Sequence, residues 1–211
     1  GAHILNTGKL EEQAEKKKKY LQAISDECNH LLTLSNRVIL LTQIEKDELQ
    51  LHKETVVLEP LIDDLIEKFR LKNHKPVEFS KAFHHCNSVY ADAFCLREIL
   101  SNLIDNAIKY SGESVQIKIS SSASTDGYTH ISVTDNGMGI PLKEQGKIFE
   151  KFERASAVIR NRKEGASGFG LGLNYVLHVV EAHHGSVKLE SIEGEYSKFT
   201  INIPQHNGET A

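Results

Sequence analysis

The chain has 211 residues, 39% hydrophobic and 26% charged, with a formal net charge of −4. That composition supports a buried core and allows one large or two small domains. The mild acidity gives no reason to expect a nucleic-acid partner. No apolar run approaches the roughly 20 residues that span a bilayer, and no signal peptide or lipidation motif is visible. The expectation is a cytoplasmic segment, with any membrane anchor lying upstream. Cys28, Cys86 and Cys95 show no Cys-x-x-Cys spacing and read as buried free thiols. His84-His85-Cys86 and His183-His184 lack a partner cluster with zinc spacing. His183-His184-Gly185 reads as a helix end, with cations at the negative pole and glycine at the cap.

In chain order, Leu10 to Gln43 reads as one long helix. Leu21, Ile24, Cys28, Leu31, Ser35 and Val38 step by threes and fours, the seam of a coiled coil or bundle. Leu32, Ile39, Leu40 and Leu41 widen the stripe, so this face calls for other helices to cover it. Lys16 to Lys19 form a solvated basic run. A charged break at Glu45 to Glu48 divides residues 1–47 from a second domain, residues 48–211. There a strand is predicted over Leu49–Val57 and an amphipathic helix over Leu58–Leu71. Further strands are predicted over Val77–Phe83, Val115–Ser120, Tyr128–Thr134, Val187–Ile192 and Lys198–Ile203. Helices are predicted over Asp92–Tyr110, Leu142–Phe152 and Leu171–His184. Strands with helices gathered on one face make a two-layer α+β sandwich.

Three stretches carry chemistry. Asn102 and Asn106 lie one helical turn apart with Lys109 on the next, while Leu96, Ile99, Leu103 and Ala107 mark a different, core-facing side. Two neutral amide oxygens and an ammonium suit a Mg2+ ion that keeps waters and also binds substrate phosphates, hence a nucleotide. Next, an alternating strand runs into Asp135-Asn136-Gly137-Met138-Gly139-Ile140-Pro141. A carboxylate there accepts and cannot donate, which matches the exocyclic amine of adenine, and the glycines permit close backbone approach. Last, Gly165 to Leu173 holds four glycines ahead of an apolar helix, a turn whose free amides and helix dipole favour phosphate. Residues 153–168 lack periodicity and carry Arg154, Arg160, Arg162 and Lys163; such a loop suits a lid that orders over phosphates, and for Arg160 to Lys163 a merely solvated loop is an equal alternative.

Together these stretches resemble the catalytic, ATP-binding domain of bacterial sensor histidine kinases, within the superfamily shared with type II topoisomerases, mismatch-repair ATPases and heat-shock chaperones. Asn102 to Tyr110 matches the family's N-box, and Asp135 to Pro141 its first glycine box. Ile148 to Phe152, followed by Arg154, matches its phenylalanine box, and Gly168 to Leu173 its second glycine box. The resemblance covers residues 11 to 204 and implies a Bergerat-type ATP-binding fold. It also implies that Asn106 and Asn102 hold Mg2+, that Lys109 and Arg154 contact phosphates, and that Tyr110 lies beside the base or ribose. Asp135 would read adenine, with Gly137 and Gly139 letting the backbone approach. Gly168, Gly170 and Gly172 would shape the phosphate loop, and Ile140, Phe149, Phe152 and Leu171 complete the nucleotide-binding set. Phe169 stands where the family often has a small residue, Thr or Ser. Tyr196 stands where it usually has glycine, which weakens the case for Ser197 as a nucleotide contact.

In ATP-hydrolysing relatives a glutamate lies four residues before the metal-binding asparagine and activates water. Here that position is Asn102, which cannot act as a general base. Glu98 is a further turn back, about 5.4 Å along the axis. The γ-phosphoryl group is therefore expected to go to an acceptor other than water, and the resemblance implies that Mg-ATP donates it to a histidine, for relay to a response regulator. The long N-terminal helix would be the second helix of the dimerisation and phosphotransfer hairpin, two of which form a homodimeric four-helix bundle. His3-Ile4-Leu5-Asn6 does not match the family's histidine box, so the acceptor helix is expected upstream of residue 1. Two rivals stand beside this: a nucleotide-gated interaction module without phosphoryl transfer, and a serine kinase of the anti-sigma type. The leucine-rich helix argues against the latter.

Overall fold

The computed structural model describes residues 2–46, 48–72, 75–84, 86–150 and 171–205. The chain divides into two compact units, residues 1–46 and 47–211. The first is a single helix, α1 (Ala2–Glu45), longer than the apolar stripe alone predicts. Its seam is bare in the single chain: Leu21, Ile24, Leu31, Leu32, Val38 and Ile39 are all exposed, and so is Cys28. The expectation of a buried Cys28 is thereby corrected. Among the described residues it lies beside the exposed Ile24, Leu31 and Leu32.

The second unit runs β1 (Lys53–Val57), α2 (Leu58–Lys72), β2 (Val77–His84), β3 (Ser88–Asp92), α3 (Ala93–Lys109), β4 (Val115–Ala123), β5 (Tyr128–Asp135), α4 (Leu142–Gln145), α5 (Gly172–Ala182), β6 (Ser186–Ile192) and β7 (Tyr196–Pro204). Five strands form one sheet in the order β2-β4-β5-β7-β6, with β2 parallel to β4 and the other neighbours antiparallel. Strict alternation places Ile131, Val133 and Asp135 of β5 on the same face as Ile201, Phe199 and Ser197 of β7. Helices α2, α3 and α5 bury their apolar stripes, including Ile62, Leu65, Ile99, Leu103, Val176 and Val179. The result is a two-layer α+β sandwich with helices on one face of a mixed sheet.

Several boundaries move for identifiable reasons. β1 begins at Lys53 rather than Leu49, because its partner is β3, a strand the hydrophobic pattern does not announce. Lys53 pairs with Asp92, where β3 ends and α3 begins. Asp92 is the N-cap: its carboxylate accepts from Cys95 N at 3.0 Å and from His52 N at 3.0 Å. Helix α4 stops at Gln145 rather than Phe152. Gly146 follows it, and the chain continues in tighter i+3 turns, Lys147 N to Glu144 O and Glu150 N to Lys147 O.

The end of α5 also differs from expectation. His184, not Gly185, takes the left-handed conformation, with φ 61°. Gly185 N closes the turn on Val180 O at 2.9 Å. His183 is no cation: burial pushes its pKa down. Its Nδ1 donates to Val179 O at 2.7 Å, leaving Nε2 to accept from Asp92 N at 3.1 Å. A neutral, single-tautomer ring thus ties α5 to the cap of α3. His184→Gly should relieve the left-handed backbone and raise stability by roughly 0.5–1 kcal/mol. Urea unfolding of the two proteins would show it, and a lower midpoint would mean that the His184 side chain matters more than its backbone.

Candidate nucleotide site

The site begins where β5 meets α3. Asp135, the last residue of β5, is buried, and Gly137 N donates to its Oδ1 at 2.8 Å. The backbone amide of Ser197 on the paired strand β7 also donates to the carboxylate. Burial nevertheless dominates and pushes the carboxyl up to about 6. Two amides leave lone pairs on the carboxylate, and no cation neutralises it among the groups that shift it. A donor-bearing ligand would meet this demand.

The loop after Asp135 is held from three sides. Met138 N donates to Tyr110 O at 3.0 Å, fastening it to the end of α3. Gly194 N donates to Met138 O at 2.8 Å. Ile140 N donates to Ser191 Oγ at 2.8 Å. That hydroxyl gives its only proton to Tyr196 O at 2.8 Å, so at 3.2 Å from Ser197 Oγ it is the acceptor. Gln145 Nε2 spans Ile140 O at 2.8 Å and Ser191 O at 3.1 Å. Gly139 has φ 63°, and a Cβ there would run into the Ile192 carbonyl and lie 2.9 Å from Glu193 Cα. Only glycine fits.

Helix α3 supplies the second wall. Asn102 is buried and its Nδ2 donates to Glu98 O at 2.8 Å. That bond turns Oδ1 toward the start of α5, where a Cβ on Gly172 would lie 3.1 Å from it. Asn106 is half-buried on the next turn, and Lys109 Nζ lies 5.9 Å from the centre of the Tyr110 ring. The N-cap of α5, Leu171, supplies no side-chain cap, and the first turn holds no acidic residue. Phe149 packs its ring edge-on against Phe199 at 6.4 Å and 86°.

The structure thus brings Asn102 beside Gly172, and Tyr110 beside the loop of Gly137, Gly139 and Ile140, with Asp135 at its base. Leu171 precedes α5 and is buried. Phe152, Arg154, Gly168 and Gly170 lie outside the described residues, as do Arg160, Arg162 and Lys163. Ser197, discounted because of Tyr196, lies directly against Asp135: Tyr196 points to the opposite face of the sheet. Ser191 and Gln145 were missed, because a polar strand residue and a surface glutamine carry no signal until β6 is placed beside the loop.

Residues 91–207 match the family profile described as "Histidine kinase-, DNA gyrase B-, and HSP90-like ATPase". The chain is 31% identical over 206 residues to the adaptive-response sensory kinase SasA of Crocosphaera subtropica, covering 95% of this chain and 53% of that protein. It is 30% identical over 188 residues to the sensor histidine kinase WalK of Bacillus subtilis, covering 88% of this chain and 30% of WalK. It therefore spans about half of SasA and under a third of WalK. Among solved structures, full-length ShkA in complex with AMPPNP superposes with a TM-score of 0.74 at 27% identity, covering 92% of this chain and 40% of ShkA.

Proposed function

Because this chain belongs to the histidine kinase-, DNA gyrase B- and HSP90-like ATPase family, we propose that Asp135, the α3 asparagines and the start of α5 form the ATP site of a sensor histidine kinase. Adenine enters against Asp135, whose buried carboxylate accepts from the exocyclic amine. The phosphates run toward Lys109 and the amides of α5, where a cation and a helix dipole both favour negative charge. Asn106 and Asn102 would hold Mg2+; their amide oxygens are the hard, neutral donors it takes, and bound there it neutralises phosphate charge. Among the described residues, no group of three or more His, Cys, Asp or Glu offers a competing metal site.

One observation carries the assignment to transfer rather than hydrolysis. The position of a hydrolase's general base holds Asn102, a buried amide committed to the backbone of its own helix. It has no proton affinity with which to activate water. The chain's residues position the nucleotide and stabilise charge, the main requirements of phosphoryl transfer. A neutral imidazole on the neighbouring hairpin helix attacks the γ-phosphorus and ADP departs, and the phosphoryl group then passes to a response regulator. The exposed apolar seam of α1 supports a homodimer through a helical bundle. A kinase that draws on ATP would work in the cytoplasm, and that is the location we infer for this part of the protein. Among the described residues, no helix is long and apolar enough to cross a membrane.

The test is a calorimetric titration with a non-hydrolysable ATP analogue, with and without Mg2+. One saturable site is expected. Asn106→Ala should cost at least the roughly tenfold that even outer-shell metal partners contribute, and only when Mg2+ is present. Equal affinity in the variant would remove Asn106 from the metal site, and absence of binding to the unmodified protein would overturn the nucleotide assignment.

A further inference from the structure

Asn174 lies in the first turn of α5, two residues after Gly172, and is only 3% exposed. Asparagine near a helix start usually turns its side chain onto nearby backbone amides. This one reaches away from its helix: Nδ2 donates to the Phe149 carbonyl at 2.9 Å. Its Oδ1 is buried and has no hydrogen-bond partner among the described residues. A half-satisfied buried amide is a poor choice for stability, since the stranded acceptor carries a desolvation cost that an apolar side chain of similar volume would avoid. Packing alone does not account for asparagine here.

Its bond joins two places that matter to the site. Phe149 rests its ring edge-on against Phe199, which helps hold the segment whose carbonyl accepts the bond. At the other end, Gly172 abuts Asn102 Oδ1, and the N-cap Leu171 gives the α5 amides no side-chain cap. The tie therefore sets where those amides stand relative to Phe149 and to Asn102. Nothing in it touches the Asp135 end, whose bonds run to Gly137 and Ser197.

We propose that Asn174 is a positioning residue for the nucleotide's phosphates, acting through the amide end of α5 and not on the base. This rests on the nucleotide site assigned above. Two variants separate it from a merely structural role. Asn174→Asp keeps the shape but, ionised, cannot donate to the Phe149 carbonyl; Asn174→Leu removes both the bond and the stranded acceptor. Affinities for a non-hydrolysable ATP analogue, ADP and adenosine would be measured by competition calorimetry on the whole chain, with thermal melts alongside. Both variants should bind the triphosphate about tenfold more weakly, the scale of one hydrogen bond's worth of misplacement. Both should bind adenosine as the unmodified protein does, and Asn174→Leu should melt no lower than it. Parallel loss of adenosine and triphosphate would show a general loosening of the fold and overturn the proposal, as would unchanged triphosphate affinity. Failure of the unmodified protein to bind any of the three would overturn the nucleotide assignment, and the positioning role with it.

Discussion

Asp135→Asn should melt at a higher temperature than the unmodified protein at pH 7 while losing most of its affinity for ATP. Burial lifts this carboxyl from 3.8 to about 6, so the folded chain holds its proton more tightly than the unfolded chain does. That preference favours the fold below the unfolded value and is lost as pH rises through about 6. Above it, an ionised, buried carboxylate costs roughly 2–3 kcal/mol. Asparagine keeps an oxygen for Gly137 N and removes the charge. At about 2–4 °C per kcal/mol for a chain of this size, the gain should raise the melting temperature by roughly 4–12 °C. Binding moves the other way, because a donor from the ligand is what stabilises the ionised carboxylate. Loss of that charge-assisted bond should cost about 10- to 100-fold in ATP affinity. The new amide would offer a donor, which suits the O6 acceptor of guanine, so the preference for ATP over GTP should shrink or reverse. In the unmodified protein, ATP affinity should fall as pH drops below about 6, because binding must then expel a proton. An unchanged ATP-to-GTP ratio would remove Asp135 from base recognition, and an unchanged melting temperature would show that its charge carries no cost.

Gly139→Ala should abolish nucleotide binding and destabilise the second unit. The residue holds φ 63°, and a methyl group there would meet the Ile192 carbonyl. A left-handed backbone alone costs an alanine about 1–2 kcal/mol. The steric conflict adds more, because relief requires the β6–β7 turn to withdraw and the Gly194–Met138 and Ile140–Ser191 bonds to break. We expect a total of about 3–5 kcal/mol, in the range reserved for a few severe mechanisms. Gly139→Asn separates the two causes, since asparagine tolerates the left-handed region but still carries the methylene. It should fail equally. Gly112→Ala, with open space around the added carbon, is the control and should leave melting and binding unchanged. A stable, ATP-binding Gly139→Ala protein would mean that the loop does not rely on this close approach.

The reach of sequence reasoning here follows the range of the interactions. Helices α2, α3 and α5 and the strands of the main sheet are legible because each carries its own apolar period over enough residues to be counted. The three motif stretches are legible for a related reason: their chemistry lies within one turn or one loop, as with Asn102 and Asn106 on a single helix face. β3 is five residues long and takes its meaning from pairing with β1, so no local pattern announces it. The left-handed His184 is set by the turn that Gly185 closes on Val180, whereas local preference favours the neighbouring glycine for that conformation.

The site divides in the same way. That an acid and two glycines follow β5 is local information. That the acid is buried enough to titrate near 6 is decided by β7 lying against it, with Ser197 in register. The supports of the site, Ser191 and Gln145 for the loop and Asn174 for α5, are polar side chains whose partners lie 51, 46 and 25 residues away. Sequence by itself determined the elements, the sandwich and the kind of chemistry, because periodicity and side-chain type act over a few residues. Only the tertiary structure decided which polar groups lose their water and which backbone groups they then bind, because desolvation is a property of the assembled fold.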